Sequence, residues 1–315
     1  VSVRADLHTH SNLSDGTTSP SQLVHAAAAA GLDVVALTDH DTTAGWSEAS
    51  AAAAEVGIGF VPGMEISTRT PDQYGDRVPV HLLAYWFDPD DAALCAEAER
   101  ARRSRAERAR AMTELVAADY LITWEQVRAQ VRDGATVGRP HIAGALVAAG
   151  HATDRPDAFA RILRDPRYRV HHYATDTATA IALVGAAGGV PVIAHPGAGR
   201  GYTITETMLR AFVDAGLAGI EVDHRENPPP VRARLRAFAA AHDLIVTGSS
   251  DYHGTGKPNR LGEHLTDPGA LDRITAAALS GRASVVRSGR DRQARHRQGE
   301  YVPAARARRD AVRHL

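Results

Sequence analysis

Residues able to bind a metal ion recur at the ends of short apolar runs along this 315-residue chain: His8, His10, Asp15, His40, Glu65, His81, His195, Asp251 and His253. Only a fold that carries many strand ends to one rim can gather ligands so far apart in sequence, and this condition constrains the architecture more than any other feature. The first run, with Val1, Val3, Ala5 and Leu7 at period two, leads into Asp6-Leu7-His8-Thr9-His10. In a strand, residues two apart share a face, so both imidazoles can reach one ion. The pattern then repeats. Residues 33–37 end in Thr38-Asp39-His40-Asp41, Gly59-Phe60-Val61 runs on to Glu65, and Val78-Pro79-Val80 meets His81. Residues 190–194 meet His195-Pro196-Gly197, and residues 244–247 reach Asp251-Tyr252-His253. With residues 219–223 these give about seven strands, nearly all separated by helical stretches.

A lone histidine at a strand end is more often a hydrogen-bonded structural residue than a ligand, and the chain has sixteen histidines. Three separate acid-and-histidine motifs in one topological position are different, because accident does not repeat a placement. A multinuclear metal site is the expectation.

A hydrophobic content of 44% over this length is enough to bury a full core. The net charge of −1 provides no global attraction to nucleic acid or an anionic membrane, so a negative substrate must be held locally. One cysteine, Cys95, excludes an internal disulfide, and there is no signal-like or membrane-length apolar run. Both features point to a cytoplasmic protein, and nothing calls for a membrane or an obligate protein partner.

Helix signals divide the chain. Ser19 as N-cap, Pro20 at the first helical position, Gln22 completing a capping box and Gly31 as the stop mark a first helix; a second covers about 42–56. Between 91 and 173 no strand is evident. A long helix over 91–118 is read as solvated, its dense Glu and Arg forming i,i+4 pairs, and is followed by shorter helices at Thr123, over 140–149 and over 156–163. Further helices are expected over 175–187, 205–215, 229–241 and 268–279. The domain reading is therefore a barrel from 1–90 and 174–286, a helical insertion at 91–173 acting as a substrate cap, and an Arg-rich, flexible tail at 287–315.

The motifs D-L-H-T-H-S, S-D-G, T-D-H-D, G-M-E-I-S, V-H-L-L-A, A-H-P-G and S-S-D-Y-H-G, in this order, make the chain resemble the PHP family, named for polymerase-associated and histidinol-phosphatase members. The resemblance implies an α/β fold, a distorted seven-stranded β/α barrel with a helical insertion, and a trinuclear metal site. Within the family, Gly138-Arg139-Pro140-His141-Ile142-Ala143 is similar to a bacterial branch of small phosphoesterases that includes 3′,5′-nucleotide bisphosphate phosphatases and enzymes that trim short RNA from the 5′ end. Carried over, it implies His8, His10, Glu65 and Asp251 around a first metal, Asp15, His40 and His253 around a second, and a bridging Glu65 with His81 and His195 around a third. Mixed His and carboxylate ligation suits two or three ions of Mn, Zn or Fe, with Mg a further option.

The activity expected from these readings is hydrolysis of a phosphate monoester on a nucleotide by a hydroxide bridging two metals, whose pKa is lowered to about 7 by the ions. His195 is the candidate for assisting the leaving group, and Arg139 for clamping phosphate with its bidentate guanidinium, supported by His141. Arg260 is a further substrate-contact candidate. Asp39 and Asp41 are read as orienting the His40 ring or capping a helix. The alternative activity is 5′-3′ cleavage of short RNA, for which Tyr120, Trp124 and Tyr168 are the available stacking residues. Histidinol phosphate phosphatase activity and a non-catalytic, metal-stabilised module stand further off.

Overall fold

The computed structural model describes residues 3–72, 74–197 and 204–287. Eight strands form one sheet: β1 (Ala5–Asp6), β2 (Val34–Leu37), β3 (Gly59–Pro71), β4 (Arg77–Tyr85), β5 (Thr175–Asp176), β6 (Val190–Ile193), β7 (Gly219–Asp223) and β8 (Ile245–Gly248). Seven of them pair in chain order, while the two-residue β5 pairs beside β3. The first three strands are parallel, as are the last three, and β4 joins the two sets by running antiparallel to β3 and β6. Thr9 bridges Tyr252, and the His10 N–H donates to the Tyr252 carbonyl at 2.8 Å, so the open edges meet and the seven strands nearly close into a barrel.

Period-two alternation explains the layers. Val34 and Ala36 point into the barrel with Val61, Leu83 and Val192. Val35 and Leu37 point outward beneath α1 (Pro20–Ala29) and α2 (Trp46–Val56). Leu82 and Leu83 are neighbours buried on opposite faces, each stabilising the fold by about 1.5–3 kcal/mol. The Ser19–Gln22 capping box is present, and Gly31 beyond the end of α1 adopts φ 75°. Helix α2 starts at Trp46, later than the sequence pattern implies, because the Thr42 hydroxyl accepts from the Ala44 N–H and holds a turn there.

Between β4 and β5 lie α3 (Ala92–Ala117), α4 (Trp124–Arg128), α5 (Arg139–Ala148) and α6 (Arg155–Ala158), the last running into a π-helical turn over Phe159–Leu163. They bury a core of their own, including Met112, Val116, Ile142, Leu146 and Ile162. The barrel then resumes with α7 (Thr177–Ala186), α8 (Glu206–Asp214), α9 (Pro229–Ala241) and α10 (Pro268–Arg287). Thr175 and Asp176 belong to a strand, not to the following helix, because they pair with Thr68 and Arg69 and Asp176 then caps α7. Helix α10 continues to Arg287, beyond the stop expected near 279. Val1 and the Arg-rich segment 288–315 lie outside the described residues. Among the described residues no helix is long and apolar enough to cross a membrane.

One expectation about position is corrected. Glu65 and His81 do not end their strands; both lie inside the long β3–β4 hairpin, where Glu65 pairs with Leu83 and Ser67 with His81. Directly paired residues share a face, so Glu65 stands on the inward face level with Leu83, and the Ser67–His81 pair stands one step above it.

Candidate metal centre

All nine ligand-type residues converge at one end of the barrel. His8 and His10 follow β1, Asp15 lies in the next loop, His40 follows β2, His195 follows β6, and Asp251 and His253 follow β8, while the hairpin brings Glu65 and His81. The backbone is bent to do this. Asp41, His195 and Asp251 have φ of 54°, 27° and 54°, a region that costs non-glycine residues of order 1–3 kcal/mol each.

Four ligand-type atoms lie close together. His8 Nε2 lies 3.1 Å from His10 Nε2, 3.3 Å from Glu65 Oε2 and 3.5 Å from Asp251 Oδ1; His10 Nε2 lies 3.1 Å from Glu65 Oε2 and 3.3 Å from Asp251 Oδ1. His8 Nε2, His10 Nε2 and Glu65 Oε2, 3.1–3.3 Å apart, can all lie about 2.0 Å from one ion, the length of a zinc–nitrogen or zinc–oxygen bond, and Asp251 Oδ1 lies beside both imidazoles. These residues fit a metal ion. Glu65 then turns its two oxygens to different partners. Oε2 also faces His40 Nδ1 at 3.3 Å, whereas Oε1 faces His81 Nδ1 at 2.7 Å and His195 Nε2 at 3.2 Å. Asp15 stands between His253 Nε2 at 3.1 Å and His40 Nε2 at 3.8 Å.

The electrostatics match a cation site. Burial works against the ionised forms, yet the Asp15 carboxyl is held well below its ordinary range by His253 and His40, and that of Glu65 by His40, His81 and His8. Burial likewise disfavours charged imidazole, but Asp251 and Glu65 hold His10 up at about 9, and Glu221, Glu65 and Asp251 hold His8 well above its usual value. Burial pulls His40 and His253 down.

The surrounding polar groups fix the ligands. Glu221, fully buried on β7, accepts from His8 Nδ1 at 3.0 Å and from the His195 N–H at 2.8 Å. That leaves His8 Nε2 as the ring atom with a lone pair for a metal. Asp39 and Asp41 do not orient the His40 ring as expected. Asp39 accepts from the Ser11 N–H and the Ser11 and Ser14 hydroxyls, bracing the loop that carries Asp15; Asp41 accepts from the Ser67 N–H and from Arg105 Nε at 2.8 Å. Asp6, pushed up to about 6 by burial, ties the 250s loop through the N–H groups of Ser250 and Gly262. His224 is buried beside the centre, its ring centroid 5.1 Å from that of His195.

The rim corrects the reading of α3 as a simply solvated helix. Arg105 is buried, paired with Asp41 and hydrogen-bonded to the Ser67 hydroxyl. One turn on, Arg108 donates to His172 Nδ1 at 3.1 Å. Burial, then Arg105, Arg139 and Arg69, push Arg108 down to about 9, and burial with Arg108, Arg105 and Arg69 pushes His172 down to about 2. Half-buried His172 thus sits as an acceptor among arginines. Arg139 is exposed at the start of α5, its guanidinium 5.4 Å from the Phe159 ring. His141 is buried and accepts from the Gly138 N–H, so it caps its own helix. Arg260 is exposed, and its backbone N–H donates to Glu263; among the described residues no hydrogen bond or ion pair draws its side chain to the centre. Tyr168 is buried in the core of the insertion, which corrects its reading as an available stacking residue, and Tyr120 and Trp124 are half-buried against that core.

Comparison with known proteins agrees with this geometry. The PHP domain family model matches residues 6–131. The chain is 35% identical over 266 residues, 83% of its length, to a 3′,5′-nucleoside bisphosphate phosphatase from Chromobacterium violaceum, covering 91% of that protein. The chain belongs to the PHP family. It is also 35% identical over 259 residues to a 5′-3′ exoribonuclease from Haemophilus influenzae, covering 80% of this chain and 91% of that one. A crystal structure of a protein from Bifidobacterium adolescentis, assigned as a metal-dependent phosphoesterase, superposes with a TM-score of 0.84 at 44% identity, over 87% of this chain and 96% of the other. As a PHP protein with these relatives, the chain is a metal-dependent phosphoesterase.

Sequence reasoning missed Glu221, Lys257, Arg105 and Arg108. Glu221 left one usable signal: an acid in the middle of the apolar run Gly219-Ile220-Glu221-Val222. Nothing separates Arg105 and Arg108 from the other arginines of α3 by sequence alone.

Proposed function

We propose that the chain hydrolyses a phosphate monoester on a nucleotide, most directly a 3′,5′-nucleotide bisphosphate or a nucleoside monophosphate. The observation that carries this is the division of Glu65, with Oε2 turned to His8, His10 and His40 and Oε1 to His81 and His195. A carboxylate so placed suits the bridge of a two- or three-ion centre. His8, His10, Glu65 and Asp251 are the proposed ligands of one ion, Asp15, His40 and His253 of a second, and Glu65, His81 and His195 of a third. Bound Mn, Zn or Fe would polarise phosphate oxygens and make water a competent nucleophile near neutral pH.

The chain's own residues supply binding and orientation. Arg105, Arg108, Arg69 and Arg139 gather at the mouth on the Asp41 side, where their mutual repulsion would be relieved by an anion. We assign this group to a phosphate of the nucleotide, with Arg139 as the exposed clamp. His141 would act indirectly, by fixing the start of the helix that presents Arg139. His195 is assigned as a ligand ahead of any leaving-group role, because its Nε2 faces Glu65. Segment 91–173 is proposed as the cap that brings Arg105, Arg108 and Arg139 over the centre, while Arg69 comes from β3. The identity to a nucleoside bisphosphate phosphatase supports this substrate class. The exoribonuclease relative keeps short RNA as the second reading, but Tyr168 is buried and Tyr120 and Trp124 are half-buried against the insertion core, which argues against an extended stacking platform.

The test is to incubate Mn-loaded protein with adenosine 3′,5′-bisphosphate, AMP, histidinol phosphate and a short 5′-phosphorylated RNA, and to record phosphate and nucleotide release. Release of phosphate from the bisphosphate is the expected result. Preference for RNA or for histidinol phosphate would overturn the assignment of substrate.

A further inference from the structure

The loop after β8 carries a cation that neither the proposed ligands nor the arginine group explains. Lys257 follows the Asp251-Tyr252-His253 motif, and its Nζ donates to Asp251 Oδ2 at 2.7 Å. Oδ1 of the same carboxylate faces His8 Nε2 and His10 Nε2 at 3.5 and 3.3 Å. One oxygen thus faces the candidate ligands His8 and His10 and the other the ammonium. An ammonium has three donors, and Asp251 is the acceptor bonded to it among the described residues. The Lys257 side chain is 34% exposed although Asp251 is buried, so it links the buried carboxylate to the surface.

A cation in this position is not needed to hold Asp251 in place. Asp6 braces the same loop through the Ser250 and Gly262 N–H groups, with no cation among those donors. With divalent ions on its other oxygen, Asp251 would hold Lys257 against charges of the same sign, an arrangement that favours an anion shared between them. We propose that Lys257 binds the phosphoryl group that is cleaved, donating to one of its non-bridging oxygens from the Asp251 side. The Arg105–Arg108 group, on the Asp41 side, is then left for a second phosphate. This inference rests on the phosphoesterase reading and adds a residue that recognises the reacting group.

The test uses Lys257→Met and Lys257→Arg in the full chain loaded with Mn, with metal content measured by mass spectrometry and inorganic phosphate binding by calorimetry. Loss of one charge-assisted hydrogen bond predicts about 10- to 100-fold weaker phosphate binding in Lys257→Met, with most of it restored in Lys257→Arg. Metal content should equal that of wild type. Unchanged phosphate affinity overturns the proposal, as does loss of metal together with phosphate, which would make Lys257 a brace for Asp251. If phosphate binding weakens as expected but no nucleotide is cleaved, the inference stands and the nucleotide assignment falls.

Discussion

Glu221→Gln removes an acceptor from behind the centre without changing its shape. The carboxylate now accepts from His8 Nδ1 on one oxygen and from the His195 N–H on the other. An amide has one oxygen and one NH2. If its oxygen serves the His195 N–H, the NH2 faces His8 Nδ1, which must then accept, and the ring proton moves to Nε2, the atom aimed at the other ligands. If its oxygen serves His8, the His195 N–H is buried against another donor. An unsatisfied buried group costs about 1–3 kcal/mol. Losing the partner of a ligating imidazole weakens metal binding by about 10- to 100-fold, or roughly 1.4–2.7 kcal/mol, so the two routes agree in size. Mn affinity is measured by competition with a chromophoric chelator. Because Glu221 also helps hold His8 protonated in the metal-free protein, the deficit should grow toward alkaline pH, where proton competition at His8 fades. Affinity within about twofold of wild type at every pH would refute the role given to Glu221.

Arg105→Met leaves Asp41 buried without its cation and should lower the stability of the protein by about 3–5 kcal/mol in urea unfolding; a loss below about 1 kcal/mol would mean that water reaches Asp41. The pH dependence of metal binding has a definite sign. His10, held at about 9 in the metal-free protein, must lose its proton to bind an ion, so Mn affinity should rise from pH 6 to about 9 with proton release, and a flat profile in calorimetry would contradict the role of His10 as a ligand.

The convergence of the nine candidate residues was legible because chemistry and topology point the same way: a histidine or acid just past an apolar run, repeated, can only be gathered by a barrel. Residues such as His40, His195 and Asp251 fell where the runs ended. Glu65 and His81 were found by motif although their strands continue past them, because an apolar run interrupted by a ligand reads like a strand end. What surrounds the ligands was less legible. Glu221 sits where alternation predicts an inward residue, but only the structure shows that its partners are His8 and His195. Arg105 and Arg108 lie in a helix whose charge pattern is that of a solvated surface, and their burial follows from how the insertion docks on β3, a long-range contact that local periodicity does not encode. The aromatic residues failed in the opposite sense, since a Tyr or Trp in a small helical insertion is as readily its core as its binding face.

The most direct test of the central claim is anomalous diffraction from crystals of the Mn-loaded protein. Glu65 as a bridge predicts one peak about 2.0–2.2 Å from Oε2, shared with His8, His10 and Asp251, and another at similar distance from Oε1, shared with His81 and His195. A single ion on one oxygen of Glu65, or none at Glu65, would contradict it.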